Sequence, residues 1–159
     1  MSEIKTNVIR ILEQAKIAHK VTTYDTKDGK IDGETVANKL NQDVNSVYKT
    51  LVAIGHSKTV YVFVIAVNHE LDLKKAGKCV GEKSIEMLKL QDLQKTTGYI
   101  RGGCSPIGMK KSFKTTIDLE AQTRETITVS GGKIGVQVTI SPISLGEYIQ
   151  AQFVDIVRR

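Results

Sequence analysis

Tryptophan is missing from this sequence, and proline and cysteine occur only twice each. The two cysteines, Cys79 and Cys104, cannot build a disulfide framework. Neither they nor His19, His56 and His69 stand at metal-ligand spacing, so no metal is expected. GxGxxG and P-loop patterns are absent, and no cofactor is expected. Aromatics make up 5% of the chain and do not cluster, which disfavours a protein that stacks single-stranded bases on aromatic faces. The longest apolar run, Val60 to Val67, is far shorter than the roughly 20 residues of a membrane span, and the polar N-terminus does not read as a signal peptide. A cytoplasmic protein without membrane contact is the expectation.

Basic charge, by contrast, is plentiful. Lysine and arginine number 23 against 17 acidic residues, a net charge of +6 that favours a polyanionic partner. Lysines concentrate at Lys74-Lys75-Lys78-Lys83 and at Lys110-Lys111-Lys114. The pattern suits nucleic-acid backbone contact. A chain of 159 residues can bury about two thirds of its unfolded surface, so residues 1–159 are expected to form a single domain.

Hydrophobic periodicity predicts a helix over Glu3 to Lys16, a strand over Lys20 to Tyr24 and a short helix over Glu34 to Leu40. Strands are predicted over Val47 to Ile54 and over Thr59 to Val67, the latter apolar on both faces and therefore central. A helix over Asp72 to Cys79, a strand over Ser84 to Met87 and a helix over Leu90 to Lys95 follow. Strands over Ser112 to Asp118 and Glu125 to Ser130, a turn at Gly131-Gly132-Lys133 and a strand through Val136, Val138 and Ile140 should pair as a meander. Ser141-Pro142 caps a last helix with Leu145, Tyr148, Ile149 and Phe153 facing inward. Helices early and antiparallel strands late give an α+β (mixed α/β) class, with one mixed, largely antiparallel sheet and flanking helices.

Two stretches carry chemistry. Thr97 to Lys111 holds four glycines, Pro106 and Cys104. Its paired Gly102 and Gly103 permit close approach to the backbone and converging N–H donors suited to a carboxylate, a phosphate or an oxyanion. In the strand from Val47, the two-residue period places Lys49 with Val47, Leu51 and Ala53 on a largely apolar face. Such a lysine snorkels out, finds an anionic partner, sits in a cleft where desolvation lowers its proton affinity, or guards a sheet edge. Thr50 offers a hydroxyl on the opposite face, and Tyr24 at its strand's end is either a pocket wall or a strand aromatic. A serine hydrolase is disfavoured because Ser105 lies outside any GxSxG elbow. Cys104 as nucleophile lacks an evident base.

Val47-Tyr48-Lys49-Thr50-Leu51-Val52, Leu71-Asp72-Leu73-Lys74-Lys75-Ala76, the loop from Thr97 to Gly108 and Val129-Ser130-Gly131-Gly132-Lys133 resemble, in that order, the YbaK family of aminoacyl-tRNA deacylases. That family is related to the editing domain of bacterial prolyl-tRNA synthetase, and the likeness spans nearly the whole chain. It implies a trans-editing hydrolase that deacylates mischarged Cys-tRNA(Pro), with the tRNA acceptor end and prolyl-tRNA synthetase as partners and no DNA. It further implies that Lys49 and Thr50 line the pocket and that Lys49 holds either the phosphate of the terminal adenosine or the substrate in position. The backbone of Gly102, Gly103, Cys104, Ser105 and Pro106 would contact the aminoacyl ester, and Tyr24 matches an aromatic pocket position. Lys49, Gly102 and Gly103 are then the catalytic set. No protein nucleophile is needed, because the substrate's thiol attacks its own ester and releases a thiolactone. The alternatives are a deacylase of Ala-tRNA(Pro) or other small aminoacyl-tRNAs that uses water, and a non-catalytic module that binds tRNA or a synthetase. One departure stands out: Asp25 to Asp32 carries no aromatic where some relatives place one.

Overall fold

The computed structural model describes residues 5–159. Glu3 and Ile4, the start of the first predicted helix, lie outside that range. Helix α1 (Asn7–Gln14) begins after Thr6, whose side chain accepts from the Ile9 amide and whose hydroxyl donates to the Gly131 carbonyl at 2.6 Å, so the cap also fastens the helix to the sheet. Strand β1 (His19–Thr23) stops one residue before Tyr24, and α2 (Gly33–Lys39) starts from an Asp32 cap.

A hairpin, β2 (Tyr48–Gly55) and β3 (Val60–Ala66), forms the centre, with Lys49 opposite Ile65 and Thr50 opposite Val64. As predicted, β3 is buried on both faces. Val62, Val64 and Ala66 enter a core shared with Val8, Leu12, Ile117, Val138 and Leu145. Tyr61, Phe63 and Ile65 enter a second core with Ala53, Ala76 and Ile156. Helix α3 (Leu73–Val80), strand β4 (Ile85–Met87) and helix α4 (Leu90–Thr97) follow, and Gly98 in the left-handed conformation (φ 89°) releases the chain into the glycine loop.

The predicted meander is not formed. Strand β5 (Lys114–Asp118) pairs in parallel with β3, and on its other side in parallel with β8 (Gln152–Val154). Strands β6 (Ile127–Lys133) and β7 (Val136–Ile140) make an antiparallel hairpin that joins β1. There are therefore two sheets among the described residues, ordered β1-β7-β6 and β4-β2-β3-β5-β8, rather than one. A bridge from Val47 to Thr128 links them. Alternation marks a strand but does not say which strand it joins, and β5 and β6 each present apolar faces. Gly131-Gly132-Lys133 lies within β6 as an irregularity, and the reversal falls at Ile134-Gly135, with Gly135 at φ 94°.

Helix α5 (Pro142–Ile149) has its Ser141 cap as predicted, with Leu145 buried. It ends at Gln150 in the left-handed conformation, which places Phe153 in β8 instead of on the helix, and Tyr148 is 46% exposed rather than inward. The α+β class stands, with antiparallel pairings outnumbering parallel ones.

Candidate active site

Where the two sheets meet, the start of β2, the N-terminal part of α2, the glycine loop and the β6–β7 hairpin enclose a cavity of about 110 Å³. Lys49, Thr50, Gly102 and Cys104 all line it, although Lys49 and Gly102 are far apart in the chain. It adjoins an open cleft of about 1000 Å³, which Lys49, Thr50 and Gly102 also line.

Lys49 is half-buried, and its Nζ donates to the Val67 carbonyl at 3.4 Å. Burial holds its pKa below the usual lysine value, and the nearby carboxylates of Glu70 and Glu34 offset part of that effect. No carboxylate among the described residues comes within ion-pair distance of it. Of the roles the sequence left open, a cleft position matches this placement. Thr50 Oγ1 is buried without a hydrogen-bond partner.

The two adjacent glycines of the loop act differently. Gly102 sits at φ 85°, and a Cβ there would come within 2.6 Å of the Ile31 side chain. Gly103 is not in the left-handed conformation but lies against the main chain of Lys133 and Ile134, where a Cβ would meet atoms at 3.1 to 3.4 Å. Its N–H already donates to the Ile100 carbonyl at 3.0 Å, so the converging Gly102–Gly103 donor pair expected from sequence is not available. The amides of Gly102 and Cys104 carry no hydrogen bond among the described residues. Ser105 is fully buried and its hydroxyl accepts from the Ile107 amide at 3.2 Å, while Tyr99 donates its hydroxyl to the Ile107 carbonyl at 2.6 Å. These contacts pin Ile107 into the core and hold the loop's shape. Pro106 lines a separate groove on the far side of the loop.

Burial pushes the Cys104 thiol up to about 11, which leaves it protonated and unsuited to nucleophilic attack at neutral pH. Tyr24 does not line the cavity. Its ring lies under the Lys39 ammonium, 5.8 Å from the centroid, and Lys39 in turn bonds the Asp25 and Lys30 carbonyls and the Asp28 carboxylate. Tyr24 thus braces the segment from Asp25 to Asp32, and that segment supplies Ile31 as the cavity wall in place of an aromatic.

Gln137 and Ser130 also line the cavity and were missed in sequence. Gln137 is buried with its amide oxygen unpartnered. Alternation in β7 assigned it to the solvent face, but the start of that strand is covered on both sides. The one grouping among the described residues with the composition of a metal site, His69, Asp118 and Glu120, has Arg159 at 3.8 and 3.7 Å from its two carboxylates, so a guanidinium already offsets part of that charge.

The aminoacyl-tRNA editing domain family matches residues 31–146, a span that takes in the cavity-lining segments of α2, β2, the glycine loop and β6–β7. The chain belongs to that family. Membership makes it an aminoacyl-tRNA deacylase, an ester-hydrolysing enzyme, as the sequence resemblance implied. It is 44% identical over 155 residues to an Enterococcus faecalis protein provisionally named Cys-tRNA(Pro)/Cys-tRNA(Cys) deacylase EbsC, covering 98% of this chain and 94% of that one. Among solved structures, one of a hypothetical protein superposes with TM-score 0.87 at 18% identity, covering 95% of this chain and 99% of that chain. Another, provisionally described as a trans-editing enzyme for prolyl-tRNA synthetase, superposes with TM-score 0.83 at 21% identity over 99% of this chain and all of the other. The last two show a shared fold. No helix among the described residues is long and apolar enough to cross a membrane.

Proposed function

We propose that this editing-family enzyme deacylates Cys-tRNA(Pro) in trans and that the substrate carries its own nucleophile. The observation that supports this most is the make-up of the cavity. Lys49, Thr50, Gly102 and Cys104 converge on a small space, yet its thiol is half-buried and protonated, and no histidine or carboxylate lines the space to activate the hydroxyls of Thr50 and Ser130. A reaction that needs no protein nucleophile suits such a site.

In this reading the ester carbonyl of the terminal nucleotide lies against the loop, and Lys49 meets that nucleotide's phosphate at the cleft. The cysteinyl sulfur attacks the carbonyl carbon, the C–S bond forms, the C–O bond to the ribose breaks, and the thiol proton passes to the departing ribose oxygen. The products are a cyclic thiolactone and free tRNA. Holding the two reacting groups in line can supply roughly 7–11 kcal/mol of the barrier reduction. The Gly102 and Cys104 amides are the donors for the developing oxyanion, where one such donor is worth about 2.7–4 kcal/mol in another enzyme. Gly103, Ser105 and Tyr24 support the loop and the wall, and Thr50 and Gln137 contact the aminoacyl group. Prolyl-tRNA synthetase is the source of the mischarged substrate.

Comparing deacylation of Cys-tRNA(Pro), Ser-tRNA(Pro) and Ala-tRNA(Pro) tests this. Cysteine is expected to react at least 100-fold faster than serine, with thiolactone as the released product. Equal rates, with free amino acid as product, would assign the site to water-dependent hydrolysis of small aminoacyl esters.

A further inference from the structure

Two surfaces flank the glycine loop, and their charges differ. The open cleft is balanced, with Asp32, Glu34 and Glu70 facing Lys30, Lys49 and Arg101. On the other side of the loop lies a groove of about 720 Å³ lined by no acidic residue at all, in a chain that has 17 of them. Its rim carries Lys111 and Lys114, both exposed, and neither pairs with a carboxylate among the described residues. Lys110 beside them is tied back to the Lys95 carbonyl at 3.3 Å. Phe113 and the exposed Tyr148 of α5 furnish an apolar surface beside the lysines.

We propose that this groove holds the single-stranded RNA immediately upstream of the esterified nucleotide. The inference rests on the deacylase reading, which places the RNA 3′ end in the cavity. Cys104 lines the cavity and Pro106 lines the groove, so the two sites are separated at their nearest backbone by two residues, at most about 7 Å. A strand that leaves the cavity over the edge of this loop runs toward Lys111 and Lys114. Beyond the terminal phosphate met by Lys49, the strand is drawn to the groove without acidic groups rather than along the balanced cleft. Unpaired bases add stacking on Tyr148, a contact that is indifferent to base identity. The sequence lacks a platform of aromatics, and a single ring beside two ammonium groups makes the groove mainly a phosphate holder.

The test uses the full chain carrying Lys111→Glu and Lys114→Glu together, with Tyr148→Ala as a second variant, and two substrates: Cys-tRNA(Pro) and cysteinyl-adenosine, which has the ester but no upstream strand. Charge reversal is expected to raise KM for the tRNA at least 10-fold, with kcat and cysteinyl-adenosine turnover unchanged. In titrations of an uncharged acceptor-stem minihelix, it should flatten the slope of log affinity against log salt by about 1.4, the value for two single-strand phosphate contacts. Unchanged tRNA kinetics and an unchanged salt slope would overturn the proposal. So would a defect seen only when a synthetase is added, which would make the groove a protein contact. Should wild-type protein hydrolyse neither ester, the deacylase reading fails, and the minihelix titration still decides the groove.

Discussion

Lys49 and Cys104 show how burial sets the chemistry of a single residue. Lys49 has its pKa lowered by desolvation, so at neutral pH the folded protein holds a charge that the unfolded chain solvates more easily. The penalty is full below the lowered pKa and fades as pH rises from there toward the usual lysine value, so stability gains with pH across that window. Lys49→Met is therefore expected to raise Tm at pH 7, with the gain over wild type shrinking at higher pH. Thermal unfolding of both proteins across pH checks this, and a Tm lowered at every pH would reject it. For Cys104, burial raises the thiol, so the neutral form is the stable one. Cys104→Ala is expected to keep deacylation within about threefold of wild type, and loss of 100-fold or more would make the sulfur a participant. Lys49 and Cys104 were legible in the sequence because an isolated lysine on an apolar face and a cysteine among glycines break a local pattern. Gln137 was not, since a polar residue between valines is what an ordinary half-exposed strand shows, and its covering comes from other segments.

At the scale of elements, the glycine loop works because two adjacent glycines meet different constraints. Gly102→Ala places a side chain at φ 85°, a strain of roughly 1–2 kcal/mol, and pushes on Ile31 in the cavity wall. Gly103→Ala drives a Cβ into the backbone of the β6–β7 turn, a clash of the kind that costs typically 1–3 kcal/mol and has little flexible material to absorb it. Urea unfolding with parallel deacylation assays separates them: Gly102→Ala is expected to lose more activity than stability, and Gly103→Ala more stability than activity. The reverse ranking would contradict the assigned roles. The loop's position and its glycines were readable from sequence. The committed Gly103 amide was not, because a turn hydrogen bond to Ile100 depends on the backbone path. The helices and β3 were legible from periodicity and caps, whereas the pairing of β5 with β3 and β8 depended on contacts distant along the chain, which alternation does not encode.

Across the whole molecule, the site exists because β2 and the glycine loop, separated by β3, α3, β4 and α4, are folded onto one another at the junction of two sheets. Sequence reading anticipated that meeting through the order of its motifs, not through any rule that derives it. The three-stranded sheet contributes Ser130 and Gln137, the five-stranded sheet Lys49 and Thr50, and the loop closes the space between them. The most direct test is the rate of Cys-tRNA(Pro) deacylation by Lys49→Ala against wild type, with circular dichroism to verify an intact fold. A folded variant whose kcat/KM falls at least 100-fold is the expected result; a folded variant that deacylates within twofold of wild type would contradict a site built around that ammonium.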